Sequence, residues 1–464
     1  MRVAFCTTVK GRAHHLKQTL PKNLIDNAAY EDAVFVILDY GSSDDLAAYI
    51  ASEQIHNLAS GRVVYYRFPL AGSFHMAHAK NMAHRCAMLE GADVLVNLDA
   101  DNFTGPGFVS YLDHNMTEFP GSFMWARMIK DDEGRLPRGI SGRIAVSKHA
   151  FLNAGGYDEK FDTWGPDDKD FTARLKRLGY QAREINGRFL QAIMHTDKLR
   201  FREYRHAEGI EYDDMQLWEQ DTTVVNFGKI GCGTVYRNFN FSTPIELKLL
   251  PTRIFGIGMH KTATTSLHTA LLILGFDSAH WKTARWAKHI WKEMMEGGRS
   301  NTLERHYALC DLPITFLYRE LDKAYPGSKF ILTVRDERKW IESVRNHWDH
   351  DKNPFRKNWN DDPFTHRAHR LLYGQKGFDA ELFLNRYRRH NAEVREHFKD
   401  RPADLLVMDM DLPPVRAYGP LGWYTPKPDD AAILRRYWWQ LCAFLDCHLP
   451  NVPYPMEFRT KGGK

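Results

Sequence analysis

The stretch from Thr252 to Leu274, TRIFGIGMHKTATTSLHTALLIL, decides the fold of the second half of the chain. Arg253 to Gly258 form an apolar run of strand type, and beyond it apolar residues recur at helical spacing. Polar residues cluster where the two patterns meet: Lys261, Thr262, Thr264, Thr265 and Ser266. Such a loop can hold an anion, because its N–H groups and the positive end of the helix dipole attract negative charge. The alternative is a strand-to-helix turn whose hydroxyls are incidental.

The order of residues in this loop distinguishes it from a Walker loop. A Walker loop needs Gly-Lys-Ser/Thr at the end of its turn, whereas Lys261 precedes the hydroxyl cluster and adjoins no glycine. The order Lys-Thr-x-Thr-Thr-Ser-Leu resembles the 5′-phosphosulfate loop of sulfotransferases, which use 3′-phosphoadenosine 5′-phosphosulfate (PAPS). Ala263 stands where that family more often has glycine. The resemblance implies that PAPS is bound by six consecutive residues: Lys261, Thr262, Ala263, Thr264, Thr265 and Ser266.

A second candidate anion site follows the strand pattern from Lys329 to Val334. Arg335 ends this strand, Asp336 is placed to cap the next helix, and Ser343 follows two turns later. An arginine and a serine so arranged resemble the 3′-phosphate clamp of sulfotransferases. Two matching anion sites in the family's order are a stronger signal than either alone. The resemblance extends over about residues 252–458 and implies a P-loop-type sulfotransferase domain with a parallel sheet.

The same resemblance suggests catalytic residues for sulfuryl transfer. Lys261 is placed to neutralise or protonate the bridging oxygen of the leaving phosphate. Asp311 lies in chain order where sulfotransferases carry their base, and a carboxylate there could take the proton of the acceptor hydroxyl. The alternative is that Asp311 only caps the helix after Pro313. If it does, the base is to be sought at His260 or His390.

Composition limits the class of protein. The chain has 464 residues, enough for two or three domains, and a net charge of +5, which suits anionic donors and glycans but is too weak to indicate nucleic acid. Its six cysteines are scattered without a metal-type CxxC pair, which favours a reducing compartment. No apolar run approaches the ~18–20 residues of a membrane span, and the first residues already predict a strand. We therefore expect a cytoplasmic protein, with peripheral membrane association left open.

The first half of the chain alternates strand and helix patterns. Strands are predicted at 2–7, 33–39, 62–67 and 92–99, and helices near 13–28, 45–59 and 77–90. This alternation indicates a parallel sheet, whose ligands bind at the carboxyl ends of the strands. Three of those ends carry polar residues: Thr7 with Thr8, Asp39 with Asp44, and Asp99-Ala-Asp101.

The pair Asp99 and Asp101 can hold Mn²⁺ or Mg²⁺ against a diphosphate, although a lone DxD is equally compatible with a solvated turn. Its context resembles a family 2-like glycosyltransferase of the Rossmann-like GT-A fold, over about residues 1–245. The matching pieces are Asp39-Tyr-Gly-Ser-Ser-Asp44, Ala79-Lys-Asn81 and the DxD itself. The resemblance implies that Asp39 reads the nucleotide base and that Asp101 is the principal metal ligand. Thr7 and Lys80 complete the expected donor site, and Lys80 stands where arginine is commoner.

The segment Phe161-Asp-Thr-Trp-Gly-Pro-Asp-Asp-Lys-Asp-Phe171 resembles the acceptor side of galactosyltransferase-type enzymes. By this resemblance Asp168 is the base of an inverting transfer, and Trp164 and Asp167 bind the acceptor. The alternative is that Asp167 or Asp168 caps a helix predicted at 169–178. Downstream, His195 matches the third metal ligand of related enzymes, but a lone histidine is more often structural.

These observations predict an α/β fusion of a glycosyltransferase domain, residues 1–245, and a sulfotransferase domain, residues 250–464, with a linker around 243–251. The expected function is bifunctional: transfer of a sugar from a nucleotide-sugar, and of a sulfuryl group from PAPS, to a glycan or glycolipid. One alternative is that only the sulfotransferase is active. Another makes the first half a degenerate module that binds glycans for the sulfotransferase.

Overall fold

The computed structural model describes residues 1–69, 72–127, 139–161, 166–194, 225–281, 284–348, 370, 372–375, 378–411, 417–419, 422–424, 431–447 and 449–456. The chain divides into two compact units, Met1–Leu250 and Pro251–Lys464, and each is described by itself. No helix within the described ranges is long and apolar enough to cross a membrane.

The first unit is built on a nine-stranded mixed sheet. Its order is β11-β10-β3-β2-β1-β4-β7-β6-β8, and strands β5 and β9 form a separate antiparallel pair. The strands are β1 (Val3–Val9), β2 (Ala33–Asp39), β3 (Val63–Arg67), β4 (Val94–Asn97), β5 (Asn102–Phe103), β6 (Ser122–Trp125), β7 (Ile144–Ser147), β8 (Gln181–Glu184), β9 (Gln191–Ala192), β10 (Gly233–Arg237) and β11 (Ile245–Leu247). The helices are α1 (Ala13–Asp26), α2 (Leu46–Glu53), α3 (Ile55–Ala59), α4 (Met76–Leu89), α5 (Phe108–Glu118), α6 (Lys148–Asn153) and α7 (Asp167–Arg177).

The central strands β1 and β2 are buried on both faces, which is why their sequences are continuous apolar runs rather than alternating ones. Side chains of α1 and α5, including Leu16 and Phe108, pack with Phe5 on one face. Helix α4 packs against β1, β2 and β4. Strands β3, β2, β1 and β4 are parallel, so their carboxyl ends meet at one edge, where Asp39 and the DxD lie.

The end of the first unit differs from the sequence-based boundary. Ile245–Leu247, within the stretch predicted to be a linker, pairs antiparallel with β10 as edge strand β11. Leu250 then donates a backbone hydrogen bond to the carbonyl of Gly228. The first unit therefore continues to Leu250, because its last strand completes the sheet.

The second unit contains a five-stranded, fully parallel sheet of order β13-β14-β12-β15-β16. Its strands are β12 (Ile254–Gly256), β13 (Ser278–His280), β14 (Ala308–Cys310), β15 (Lys329–Val334) and β16 (Leu405–Asp409), with a separate hairpin of β17 (Ala417–Gly419) and β18 (Gly422–Tyr424). The helices are α8 (Thr264–Ile273), α9 (Ala284–Gly297), α10 (Asn301–Glu304), α11 (Tyr318–Ala324), α12 (Glu337–Trp348), α13 (Ala380–His397) and α14 (Ala431–Leu445).

The strand order creates a switch point between β12 and β15. From β12 the chain proceeds to β13 and β14 on one side, and from β15 it proceeds to β16 on the other. Ligands of open α/β sheets bind in the crevice at such a point, beyond the carboxyl ends of the strands. The loop that leads into α8 and the turn after β15 flank this crevice, so the fold places both candidate anion sites there.

Candidate active sites

In the first unit Asp39 is fully buried and its carboxylate is held by three donors. One oxygen accepts from the backbone N–H of Ser42 at 2.7 Å. The other accepts from the Tyr65 hydroxyl at 2.5 Å and from Arg67 Nη1 at 3.0 Å. The side chain is therefore rigidly placed at the end of β2. Thr7, also buried, lies in the neighbouring strand β1.

The two DxD carboxylates follow β4 and have different surroundings. Asp99 accepts from Asn97 Nδ2 at 3.2 Å, and burial raises its pKa against the opposing charge of Lys80. Asp101 accepts from Asn102 Nδ2 at 2.7 Å. Arg143, which is fully buried, donates to Asn102 Oδ1 at 2.7 Å and so stabilises the turn that carries Asp101.

Lys80 joins helix α4 to the first turn of α7. Its ammonium lies 2.7 Å from Asp167 Oδ2 and 2.6 Å from Asp168 Oδ1, and its side chain is only 3% exposed. Burial disfavours the charged ammonium, but the two carboxylates outweigh it and raise the pKa of Lys80 well above its usual value. Burial also raises the pKa of Asp168, to about 7, although Lys80 opposes that rise.

The base candidate and the DxD converge at Gly142. A side-chain carbon added to this glycine would lie 3.0 Å from Asp99 Oδ2 and 3.1 Å from Asp168 Oδ2. A side chain at this position would therefore crowd both carboxylates. Helix α7 begins at Asp167 after Pro166 and has no side-chain cap, so neither Asp167 nor Asp168 serves as its N-cap. The fold thus brings Lys80, Asp99, Asp167 and Asp168 together.

Two predicted residues of this site, Trp164 and His195, lie outside the described residues. Within the described ranges there is no group of three or more side chains that could hold a metal ion. The DxD still fits a hard divalent cation in its chemistry, because Asp99 is a buried carboxylate beside a second carboxylate, Asp101, and such oxygens are the ligands that Mg²⁺ and Mn²⁺ prefer.

In the second unit the loop between β12 and α8 is tightly folded. Gly258 touches Thr333 of β15 so closely that a side chain there would overlap its hydroxyl. Thr262 contacts that same hydroxyl at 2.7 Å and donates to the carbonyl of Met259 at 2.6 Å. Ala263 has a φ of 69°, the left-handed conformation that glycine adopts more readily, which explains why glycine is commoner there in the resembling family.

The hydroxyl cluster opens helix α8 as predicted. Thr264, Thr265 and Ser266 are the first three residues of the helix, where backbone N–H groups have no partner within it. Lys261 precedes them with a φ of 66°. This arrangement gathers N–H groups, hydroxyls and a lysine residue at one helix end, which is suited to binding an anion.

Arg335 connects the two anion-binding candidates. Its guanidinium donates to the carbonyl of Lys261 at 3.2 Å and lies 3.4 Å from Asp411 Oδ2. Lys339 lies 3.4 Å from the other oxygen of Asp411. An open cavity of about 590 Å³ is found here; it is lined by Val334, Arg335, Asp336, Arg338, Lys339, Asp409 and Asp411.

The predicted cap is confirmed, since Asp336 accepts from the backbone N–H groups of Arg338 and Lys339. Ser343 is half-buried on the helix that follows, α12.

Asp311 follows β14 at the same edge of the sheet. One of its oxygens accepts from the backbone N–H of Leu312 at 2.9 Å, and the other lies 3.2 Å from His280 Nε2. The turn after Pro313 has no side-chain cap, so the alternative role of Asp311 as a helix cap does not hold.

Sequence reasoning missed His280, which ends β13. Its Nε2 also lies 3.1 Å from Thr264 Oγ1 and 3.4 Å from Thr265 Oγ1. Of the two histidines considered as substitute bases, His390 is fully buried beside the carbonyl of Ile257, and burial lowers its pKa to about 4. His260 is also buried, within reach of the Tyr373 hydroxyl.

Comparisons with known proteins agree with this division of the chain. Residues 253–421 match the family profile described as a sulfotransferase domain, and residues 133–199 match that described as the N-terminal domain of galactosyltransferase. The predicted fusion is therefore confirmed, as is the α/β fold class. A curated relative, Ava biosynthesis cluster protein M from Aspergillus versicolor, is 25% identical over 230 residues, which cover 44% of this chain and 79% of the relative.

Solved structures resemble the chain only remotely. The mannosyltransferase PcManGT from Pyrobaculum calidifontis, in complex with GDP-Man and Mn²⁺, is 14% identical with a TM-score of 0.35. The match covers 43% of this chain and 60% of that protein, less than two thirds of its length. TarS 1–349 from S. aureus in complex with UDP is 10% identical with a TM-score of 0.34, over 47% of this chain and 78% of that one.

Proposed function

We propose that the protein is a bifunctional transferase that adds a sugar from a nucleotide-sugar and a sulfuryl group from PAPS to a glycan or glycolipid acceptor. The observation that carries the sulfotransferase part is the contact between Arg335 and the carbonyl of Lys261. It joins the two anion-binding candidates at the switch point of the parallel sheet. Two cationic side chains at one crevice suit a donor that carries phosphate at both ends.

For sulfuryl transfer, the acceptor hydroxyl oxygen forms a bond to sulfur while the bond from sulfur to the phosphate oxygen breaks. The loop of Lys261 to Ser266 binds the 5′-phosphosulfate, and Arg335 with Ser343 binds the 3′-phosphate. Asp311 takes the proton of the attacking hydroxyl, and Lys261 neutralises the charge that develops on the leaving oxygen. The products are the sulfated acceptor and 3′-phosphoadenosine 5′-phosphate (PAP).

For glycosyl transfer, Asp168 takes the proton of the acceptor hydroxyl, and Trp164 and Asp167 hold that acceptor. Thr7, Asp39 and Lys80 bind the nucleotide-sugar at the carboxyl edge of the sheet. Asp99 and Asp101, with His195, would hold Mn²⁺ or Mg²⁺, which supplies positive charge to the diphosphate. Lys80 also keeps Asp167 and Asp168 in place, because it pairs with both.

The six cysteines are scattered along the chain without a CxxC pair, which is typical of a reducing compartment, and we propose a cytoplasmic location on that ground.

The test uses the full-length protein and two variants. One assay measures transfer of radioactive sulfate from PAPS to a panel of p-nitrophenyl glycosides, and the other measures consumption of nucleotide-sugars in the presence of Mn²⁺. Lys261→Ala should abolish sulfate transfer and spare glycosyl transfer, and Asp101→Asn should do the opposite. Sulfate transfer without use of any nucleotide-sugar would favour the glycan-binding alternative for the first unit. The bifunctional assignment fails if each variant loses both activities.

A further inference from the structure

We propose that His280 is a positioning residue of the sulfotransferase site, which couples the base Asp311 to the donor-binding loop. This inference rests on the proposed sulfotransferase function and adds a residue to it. His280 ends β13 and is level with Cys310 of β14 in the register of the sheet. Because Asp311 follows Cys310 directly, the parallel pairing brings the imidazole and the carboxylate side by side.

The distances define a three-way contact at one imidazole nitrogen. His280 Nε2 lies 3.2 Å from Asp311 Oδ2, 3.1 Å from Thr264 Oγ1 and 3.4 Å from Thr265 Oγ1. The two side chains of the ion pair are 20% and 14% exposed, so they are largely shielded from water but remain reachable from the crevice. One histidine therefore touches both the group proposed to take the proton and the hydroxyls proposed to bind the phosphosulfate.

An ionised carboxylate only accepts hydrogen bonds, so a hydrogen bond between His280 Nε2 and Asp311 requires the hydrogen to be on that nitrogen. A nitrogen that carries this hydrogen cannot accept one from Thr264 or Thr265. The hydroxyl hydrogens of both threonines then remain available for phosphate oxygens of the donor.

Two neighbours flank the Asp311 carboxylate. Its Oδ1 accepts from the backbone N–H of Leu312, and its Oδ2 lies 3.2 Å from His280 Nε2. Each oxygen keeps a second lone pair, which can face the acceptor hydroxyl. Without His280 the carboxylate retains one anchor and can rotate, and misplacement of a catalytic group by a fraction of an ångström lowers turnover more than it lowers binding.

The experiment compares His280→Leu with His280→Gln. Leucine removes the donor, whereas glutamine offers an amide N–H at a similar distance from the backbone. Turnover is measured as PAP formation from saturating PAPS, with p-nitrophenyl glycosides and with water alone as acceptors, and PAP affinity is measured by calorimetry. We expect His280→Leu to lower kcat about ten- to a hundredfold, with a smaller loss of PAP affinity. With the acceptor for which kcat falls most, the kcat of His280→Gln should be at least tenfold higher than that of His280→Leu.

A double variant distinguishes a positioning role from a general structural one. If His280 acts through Asp311, then His280→Leu in the background of Asp311→Asn should lower turnover little further. Multiplicative losses, equal impairment of the leucine and glutamine variants, or near-normal turnover of His280→Leu would each overturn the inference while leaving the sulfotransferase function intact. Absence of PAP formation by the unaltered protein would overturn both.

Discussion

Replacement of Lys80 by methionine should destabilise the first unit in a manner that depends on pH. Methionine keeps the length and apolar stem of lysine but leaves Asp167 and Asp168 without their shared cation. The ammonium contacts them at 2.7 and 2.6 Å, and both Lys80 and Asp167 are at most 5% exposed. Removal of one partner from such a buried pair costs about 3–5 kcal/mol.

The penalty also depends on pH. The unpaired carboxylates can share one proton, and the free energy of protonating one aspartate sets the scale of that dependence. An aspartate has a pKa near 3.9 when unfolded, and each pH unit above it costs about 1.4 kcal/mol, which gives about 4 kcal/mol at pH 7 and about 1.5 kcal/mol at pH 5. A carboxyl whose folded pKa is raised stabilises the fold below its unfolded pKa and loses that contribution as pH rises. The variant should therefore be nearly normal near pH 4 and increasingly unstable above it.

Hydrogen–deuterium exchange on the full-length protein measures this effect locally, because a chain of two units has no single unfolding free energy. Amides of α4 and α7 should lose about two to three orders of magnitude of protection at pH 7 and about tenfold at pH 5. Lys160→Met is the matched control: its ammonium lies 3.0 Å from Asp158 but is 47% exposed, so it should cost less than about 1 kcal/mol. Equal losses at both pH values, or a loss at pH 7 no larger than the control's, would refute the reasoning.

Three further predictions concern the two sites. Asp411 pairs with Arg335 and Lys339 and would compete with a phosphate for them, so Asp411→Asn should strengthen PAP binding by about two- to tenfold in calorimetric titrations. Unchanged binding would contradict this role. EDTA, like Asp101→Asn, should abolish glycosyl transfer and spare sulfate transfer in parallel assays. Ala263→Gly removes the cost of a non-glycine residue at a φ of 69°, about 1–2 kcal/mol, but it also stabilises the unfolded chain through its entropy by about 0.4–1 kcal/mol. The exchange protection of α8 should therefore rise slightly or stay equal. Ala270→Gly within the same helix should lower it.

Much of the fold follows from local sequence pattern. The four predicted strands of the first half correspond to β1 to β4, and the strand before Arg335 corresponds to β15, because each is an apolar run bounded by polar residues. The helix that begins at Thr264 could be predicted from the spacing of its apolar residues. Strand β11 could not, because its sequence Ile-Glu-Leu is too short to establish an alternating strand pattern, and the strand is defined by pairing with β10.

The residues that the sequence did not predict are those that act across the sheet. His280 is distant from Asp311 in the chain, and only the parallel register of β13 and β14 brings them together. Asp411 likewise follows β16 and reaches Arg335 because β16 pairs with β15. Both lie at or just after a strand end, but the strands predicted from the sequence do not include β13 or β16. A sequence-based search could not have paired these residues either, because strand order is set by long-range packing.

The role of Lys80 shows why residue type alone does not determine function. Its place before the DxD predicted a contact with the donor, but the structure directs its ammonium to the first turn of α7. Two aspartates at the start of a helix are favoured by the helix dipole, yet they repel each other when buried, and a shared cation relieves that repulsion. If an anionic donor diphosphate attracts the same ammonium, then it must compete with Asp167 and Asp168 for it. Binding of such a donor and the charge on Asp168 would then be linked through one side chain, and the donor contact of Lys80 stays a prediction.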